Sequence, residues 1–149
     1  MSKLILLDSG PLGLVSNPGQ KPVVQSCQAW MRGQQAQGHL IVVPEIADYE
    51  VRRELLRANR INGLRRLDLF KQTLSYLPLT TDAMLRAAQF WAQARKMGRP
   101  TADNFALDGD VILAAQAAAL LDAGGDIIVA TTNPKHLSLF VPAADWQSI

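Results

Sequence analysis

Leu4-Ile5-Leu6-Leu7-Asp8-Ser9-Gly10-Pro11 is the stretch whose reading decides the fold. Four apolar residues in unbroken succession suit a strand covered on both faces, as in a parallel sheet. A strand with one wet face would alternate instead. Leu40-Ile41-Val42-Val43 and Ile127-Ile128-Val129-Ala130 repeat the pattern. Between these runs the spacing predicts helices. Residues Pro22 to Gln37 lead to a stop at Gly38. Pro44 opens a helix reaching about Ala58, since a first-turn position needs no donor. Leu64, Leu67, Phe70 and Leu74 recur at helical spacing. Leu77-Pro78-Leu79 reads as a short, poor strand. Thr81 or Asp82 caps a helix to Met97, residues 98–107 read as a loop, and Asp108 or Asp110 opens an Ala-rich helix ending at Gly124-Gly125. Thr131-Thr132-Asn133-Pro134 turns away from the last strand. This alternation predicts an α/β fold, a three-layer α/β/α sandwich around a mainly parallel sheet.

The chain has 149 residues, 48% hydrophobic and 19% charged, and is expected to form one domain over 1–149. That composition excludes a disordered chain. Cys27 is the sole cysteine, which excludes an internal disulfide or a multi-Cys zinc site and fits a reducing compartment. The run Leu4–Leu7 is too short for a signal-peptide core, and Val111–Leu121, interrupted by Gln116, is too short to span a membrane. A soluble, cytoplasmic protein is expected.

In an open parallel sheet, ligands bind beyond the carboxyl ends of the strands. Asp8 follows the first strand and Asn133 the last. Asp108 and Asp110 start the helix feeding that last strand, and Glu50 lies about two turns into the helix after the second. Carboxylates without His or Cys partners suit a hard cation, Mg²⁺ or Mn²⁺, which can activate water and stabilise charge on a phosphodiester. Each residue also has an ordinary reading. Asp8 can bond its own turn, Asp108 can be an N-cap, and Glu50 can be a surface carboxylate beside Arg53. No glycine-rich phosphate loop is present, and position 10 is Gly where a phosphatase with an Asp nucleophile would want a second Asp.

The net charge of +2 announces no partner, yet residues 51–71 hold seven basic side chains against two acidic ones, or +5. Arg52, Arg53 and Arg57 begin this stripe, which can hold a nucleic-acid backbone or simply be a solvated helix face. Tyr49, Phe70 and Trp91 can stack on bases or fill the core.

Four segments together resemble the PIN-domain nuclease family, and within it the small VapC-like toxins of toxin–antitoxin pairs, from Leu4 to about Phe140. Leu6-Leu7-Asp8-Ser9-Gly10 is similar to the family's opening strand and first metal-binding Asp. The segment from Val43 to Leu55 looks like the one holding its acidic residue, placed at Glu50. Asp108-Gly109-Asp110-Val111-Ile112-Leu113-Ala114-Ala115 resembles the Asp-x-x-Ile-Ala-Ala signature, placing the third acid at Asp110 and leaving Asp108 an accessory ligand or cap. Thr131-Thr132-Asn133 resembles the closing segment, with Asn133 where many relatives have Asp.

The resemblance implies a PIN-like sandwich and a Mg²⁺- or Mn²⁺-dependent endoribonuclease. Asp8, Glu50 and Asp110 would hold the metal, Asn133 would position water or ligand, and Thr131 and Thr132 would support through their hydroxyls. It also implies an RNA substrate, a cognate antitoxin and a homodimer. The uncharged Asn133 leaves open a second reading, a PIN-like module that has lost catalysis and binds RNA or protein.

Overall fold

The structure is a computed structural model that describes residues 2–97 and 104–149, the side chains of 104–106 excepted. Its elements run β1 (Leu4–Leu7), α1 (Ser9–Ser16), α2 (Pro22–Ala36), β2 (Leu40–Pro44), α3 (Glu45–Arg57) and α4 (Ile61–Thr73). Then follow β3 (Ser75–Leu77), α5 (Thr81–Lys96), α6 (Asn104–Asp122), β4 (Ile127–Thr131) and β5 (Ala143–Asp145). The strands form one sheet in the order β3-β2-β1-β4-β5, and every pairing is parallel.

Strand pleating divides the core. Ile5, Leu7, Ile41 and Val43 face one side, where α1 to α4 bring Leu12, Val15, Cys27, Met31, Ala47, Val51 and Leu67. Leu6, Val42, Ile127 and Val129 face the other, against Leu113, Ala114, Ala117 and Ala118 of α6. The small side chains of α6 let it sit close on the sheet, and α5 packs outside it through Ala83, Ala87 and Ala94. The expected α/β/α sandwich is the architecture found. Among the described residues, no helix is long and apolar enough to cross a membrane.

Three helices end in the same way. Gly38, Asn59 and Gly124 follow α2, α3 and α6 with φ of 88°, 54° and 90°. In each the next N–H reaches back to the third carbonyl from the helix end: His39 to Gln34, Arg60 to Leu55 and Gly125 to Leu120. The stops at Gly38 and Gly124 match the sequence reading.

Four expectations change. Asp8-Ser9-Gly10-Pro11 is not a free turn but the start of α1: Asp8 caps it by accepting the Ser9 N–H, and Pro11 lies in the first turn, where no donor is needed. The short strand lies at Ser75–Leu77 and ends before Pro78, instead of running across it over Leu77–Leu79. The cap of α5 is Thr80, whose hydroxyl accepts the Ala83 N–H. The expected loop over 98–107 falls partly outside the described residues, and from Asn104 onward it is already helix. Asp108 and Asp110 are therefore not caps.

A buried polar network closes the sheet's β3 edge. Asp48 is 4% exposed, accepts from Arg52 at 3.1 Å and from the Tyr76 hydroxyl at 3.0 Å, and Arg52 also donates to Asp68 at 2.7 Å. Gln116 accepts the Ile46 N–H and donates to the Leu77 carbonyl, tying α6 to α3 and β3. Asp48→Ala orphans the Tyr76 hydroxyl and leaves Arg52 half-paired, so it should lower unfolding stability by about 2 kcal/mol. Asp68→Ala, which removes an exposed partner, should cost below about 1 kcal/mol. Urea unfolding of both variants checks the order; equal losses would contradict it.

Candidate active site

Parallel register carries β1 and β4 to the same edge, with Leu7 opposite Ala130. The next residues, Asp8 and Thr131, are thereby neighbours. The Thr131 hydroxyl, 1% exposed, donates to Asp8 Oδ2 at 2.7 Å, and the Ser9 N–H donates to Oδ1 at 2.7 Å. Both carboxylate oxygens are thus oriented by groups from opposite sides. Thr131 Oγ1 also accepts the Asn133 N–H at 3.1 Å, so one hydroxyl fixes both the carboxylate and the turn beyond β4.

Glu50 from α3 and Asp110 from α6 complete a cluster with Asp8. Burial and the negative charges of Asp8 and Glu50 push the Asp110 carboxyl up to about 7. Burial and the charge of Asp8 raise Glu50 as well, opposed by Arg53, whose guanidinium stands 3.9 Å from Glu50 Oε2. Two glycines make the approach possible. A Cβ on Gly109 would stand 2.8 Å from Glu50 Oε2, and one on Gly10 would stand 2.8 Å from Thr132 Cγ2. The sequence reading missed this role, although both glycines sit inside the quoted motifs, Asp8-Ser9-Gly10 and Asp108-Gly109-Asp110.

Other expected residues are placed differently. Asp108 and Asp110 are two apart on one helix and point to different sides. Asp108 is exposed and lines a hollow with Met84 and Trp91 between α5 and α6, away from the cluster. Asn133 is exposed, and its side-chain oxygen accepts the Lys135 N–H at 3.4 Å, within its own turn. Thr132 is exposed and packs on Gly10. Arg52 is committed to Asp48 and Asp68, which leaves it ill placed to hold a substrate. Arg57 pairs with Glu54 at 2.8 Å. Arg53 lies over the ring of Tyr49, 5.2 Å from its centre. Arg53, Arg57 and Glu50 line a groove of about 500 Å³ that opens beside Ser9 and Gly10.

Three acids sharing a half-buried site repel one another, and a cation would relieve that repulsion. Their oxygen-only donor set fits a hard divalent ion. Among the described residues no three Asp, Glu, His or Cys side chains stand in a ready-made cage, so it is the accumulated charge that favours an ion. Cys27 has no part in this: it is buried in the core, and burial pushes its thiol up to about 12.

Sequence comparison finds no match, either to protein-family models or to curated proteins. Structural comparison does. A chain of VapBC2 from Rickettsia felis, in a crystal structure bound to a DNA fragment from the promoter, aligns with a TM-score of 0.69 at 14% identity, covering 96% of this chain and 98% of that one. A chain of VapBC-1 from nontypeable Haemophilus influenzae aligns at 0.70 and 17%, covering 97% and 98%. One of FitAcB from Neisseria gonorrhoeae aligns at 0.69 and 18%, covering 97% and 99%. The chain shares the fold of these proteins over almost its full length, as the resemblance to VapC-like PIN domains implies.

The charge cluster has a consequence for stability. Unfolded Asp110 ionises near its usual 3.8 and folded Asp110 near 7, so between those values the folded state keeps a proton that the unfolded chain has lost. In chelator-treated protein, stability should fall as pH rises from about 4 to about 7 and then level off. Asp110→Asn removes the repulsion. Its melting temperature should exceed that of the unmodified protein at pH 8, with the gap closing toward pH 4. Melting curves check this, and a gap that widens toward acid would contradict it.

Proposed function

We propose that this protein is a divalent-metal-dependent endoribonuclease and the toxin of a toxin–antitoxin pair. The observation that carries the reading is the convergence of Asp8, Glu50 and Asp110, from three distant segments, on one edge of the sheet, with Asp110 pushed up to about 7. Unrelieved acidity of that kind costs stability, which fits a site built for a cation and not for packing. Asp8, Glu50 and Asp110 would hold the ion. A bound Mg²⁺ or Mn²⁺ would acidify water and neutralise charge developing on a phosphodiester.

The chain's own residues set the stage around it. Thr131 and the Ser9 N–H keep the Asp8 carboxylate in one orientation. Arg53, at the mouth of the groove and 3.9 Å from Glu50, would meet a phosphate backbone arriving there, whereas Arg57 beside it is held by Glu54. Arg52 acts at a distance by fixing Asp48 and α3. Shared fold with VapBC and FitAcB chains supports an antitoxin partner, and a homodimer belongs to the same reading. The position of Asn133, turned into its own loop and uncharged, favours the second reading of a PIN-like module that binds RNA without cutting it.

Incubating purified protein with RNA and Mg²⁺ or Mn²⁺ tests both. Cleavage should occur, and Asp8→Ala or Asp110→Ala should slow it by about 100-fold or more, with Thr131→Val costing about 10-fold through loss of the Asp8 orientation. Equal cleavage by all four proteins would overturn the assignment. Absence of both turnover and carboxylate-dependent metal binding would leave the binding module.

A further inference from the structure

The groove that Glu50 lines does not end at Glu50. Its floor, Gly13 of α1 and Leu55 of α3, continues into a larger hollow of about 1010 Å³ between the α3–α4 turn and the α1–α2 connection, and Arg60 borders both. No acidic side chain lines this hollow, whereas Lys21, Arg60 and Arg65 do. All three are exposed, and among the described residues none pairs with a carboxylate. Other cations of the same stretch are engaged: Arg52 with Asp48 and Asp68, Arg57 with Glu54, and Arg66 with the Val15 carbonyl. Arg53 faces Glu50 and Lys71 lies over the Tyr76 ring, so among the described cations of residues 51–71 it is Arg60 and Arg65 that remain without such a partner, and both line the hollow.

The backbone that carries these cations is built for position. Asn59 holds φ 54°, and the Arg60 N–H closes the helix end on Leu55 at 2.9 Å. Gly63 sits so close to Leu55 that a Cβ would stand 2.9 Å from its Cδ2, which brings α4 and Arg65 down beside α3. On the opposite rim, Asn17 Oδ1 accepts the Gly19 N–H at 2.7 Å, and Gln28 donates to the Asn17 carbonyl, ordering the approach to Lys21.

We propose that this hollow is a backbone subsite in which Lys21, Arg60 and Arg65 hold phosphates of a single-stranded RNA whose remaining length reaches Asp8, Glu50 and Asp110. The substrate class rests on the nuclease reading above. A single strand can follow a concave path past separate cations, and basic grooves bind it through its phosphates. An acidic protein segment would meet the same cations, but only a substrate needs a path that continues to the carboxylates.

The test is RNA binding without turnover: a short labelled oligoribonucleotide in chelator, with Kd followed by fluorescence anisotropy across a salt series. The variants are the triple Lys21→Ala/Arg60→Ala/Arg65→Ala and, as a control on α2, Arg32→Ala, both checked by melting curves. The triple variant should lose about 10-fold in affinity, and the slope of log Kd against log salt should fall by about 2, or about 0.7 for each charge. Arg32→Ala should change neither. Unchanged binding by the triple variant, or an equal loss in Arg32→Ala, would overturn the subsite. So would loss of polyglutamate binding with RNA binding intact, which would point to an acidic protein occupant. Failure of the two readings is separable: full cleavage by Asp8→Ala would remove the nuclease while a weakened triple variant kept the subsite. Cleavage by the triple variant with unchanged KM would remove the subsite alone.

Discussion

The hydrogen bond from Thr131 to Asp8 joins the two central strands at the one point where the chain concentrates negative charge. It exists because β1 and β4 run parallel in register, so residues far apart in sequence leave the sheet side by side. Antiparallel pairing would have sent Asp8 and Thr131 to opposite ends. Every other part of the cluster is arranged relative to this pair: α3 and α6 start near the same edge and bring Glu50 and Asp110 to it. The apolar runs that build the sheet thus determine where the acids meet, although they contain none of them.

Close approach is the second constraint. Like charges do not gather without support: hydrogen bonds from Thr131 and Ser9 hold Asp8, Arg53 faces Glu50, and two glycines leave the room. Gly109 removes the Cβ that would collide with Glu50, and Gly10 removes the one that would collide with Thr132. Gly109 weakens a helix by about 1 kcal/mol relative to Ala, and burying acids beside one another costs more. A fold that accepts both has placed its least stable chemistry at the carboxyl edge, where ligands bind in open parallel sheets. The apolar core beneath, with Ile5, Leu6 and Leu7 fully buried, offsets it.

The residues that could be read from sequence are those whose environment is uniform. β1, β2 and β4 are unbroken apolar runs because both faces are covered, and Gly38 and Gly124 mark helix ends because a positive φ favours glycine. β3 and β5 are three residues long and half-buried, too short for any period to show. α1 is hidden because Asp-Ser-Gly-Pro reads equally as a turn and as a cap with a first-turn proline. The start of α6 is hidden for a related reason. Asp108-Gly109-Asp110 resembles a helix beginning, yet the helix runs through it, and the glycine answers to Glu50 from another helix. Asp8, Glu50 and Asp110 could be nominated by strand-end placement. That Asp108 faces elsewhere follows only once the helix is known to pass through both positions.

Charge is the property that sequence totals describe least well. A net of +2 suggests no preference, and the +5 of residues 51–71 suggests a uniform basic face. Neither survives pairing. Arg52 neutralises Asp48 inside the fold, Arg57 neutralises Glu54 at the surface, and Arg66 turns to a backbone carbonyl. A cation already held by a carboxylate 3 Å away contributes little potential beyond about 8 Å at physiological salt. Along this hollow the field felt by a polyanion is then set by Lys21, Arg60 and Arg65, which no carboxylate among the described residues holds, and by the acids they do not cancel. Lys21 lies outside the basic stretch and joins it only through the fold. The basic hollow and the groove lined by Glu50 thus share Gly13, Leu55 and Arg60, which puts a place for a phosphodiester backbone next to one of the acids that a divalent cation would require.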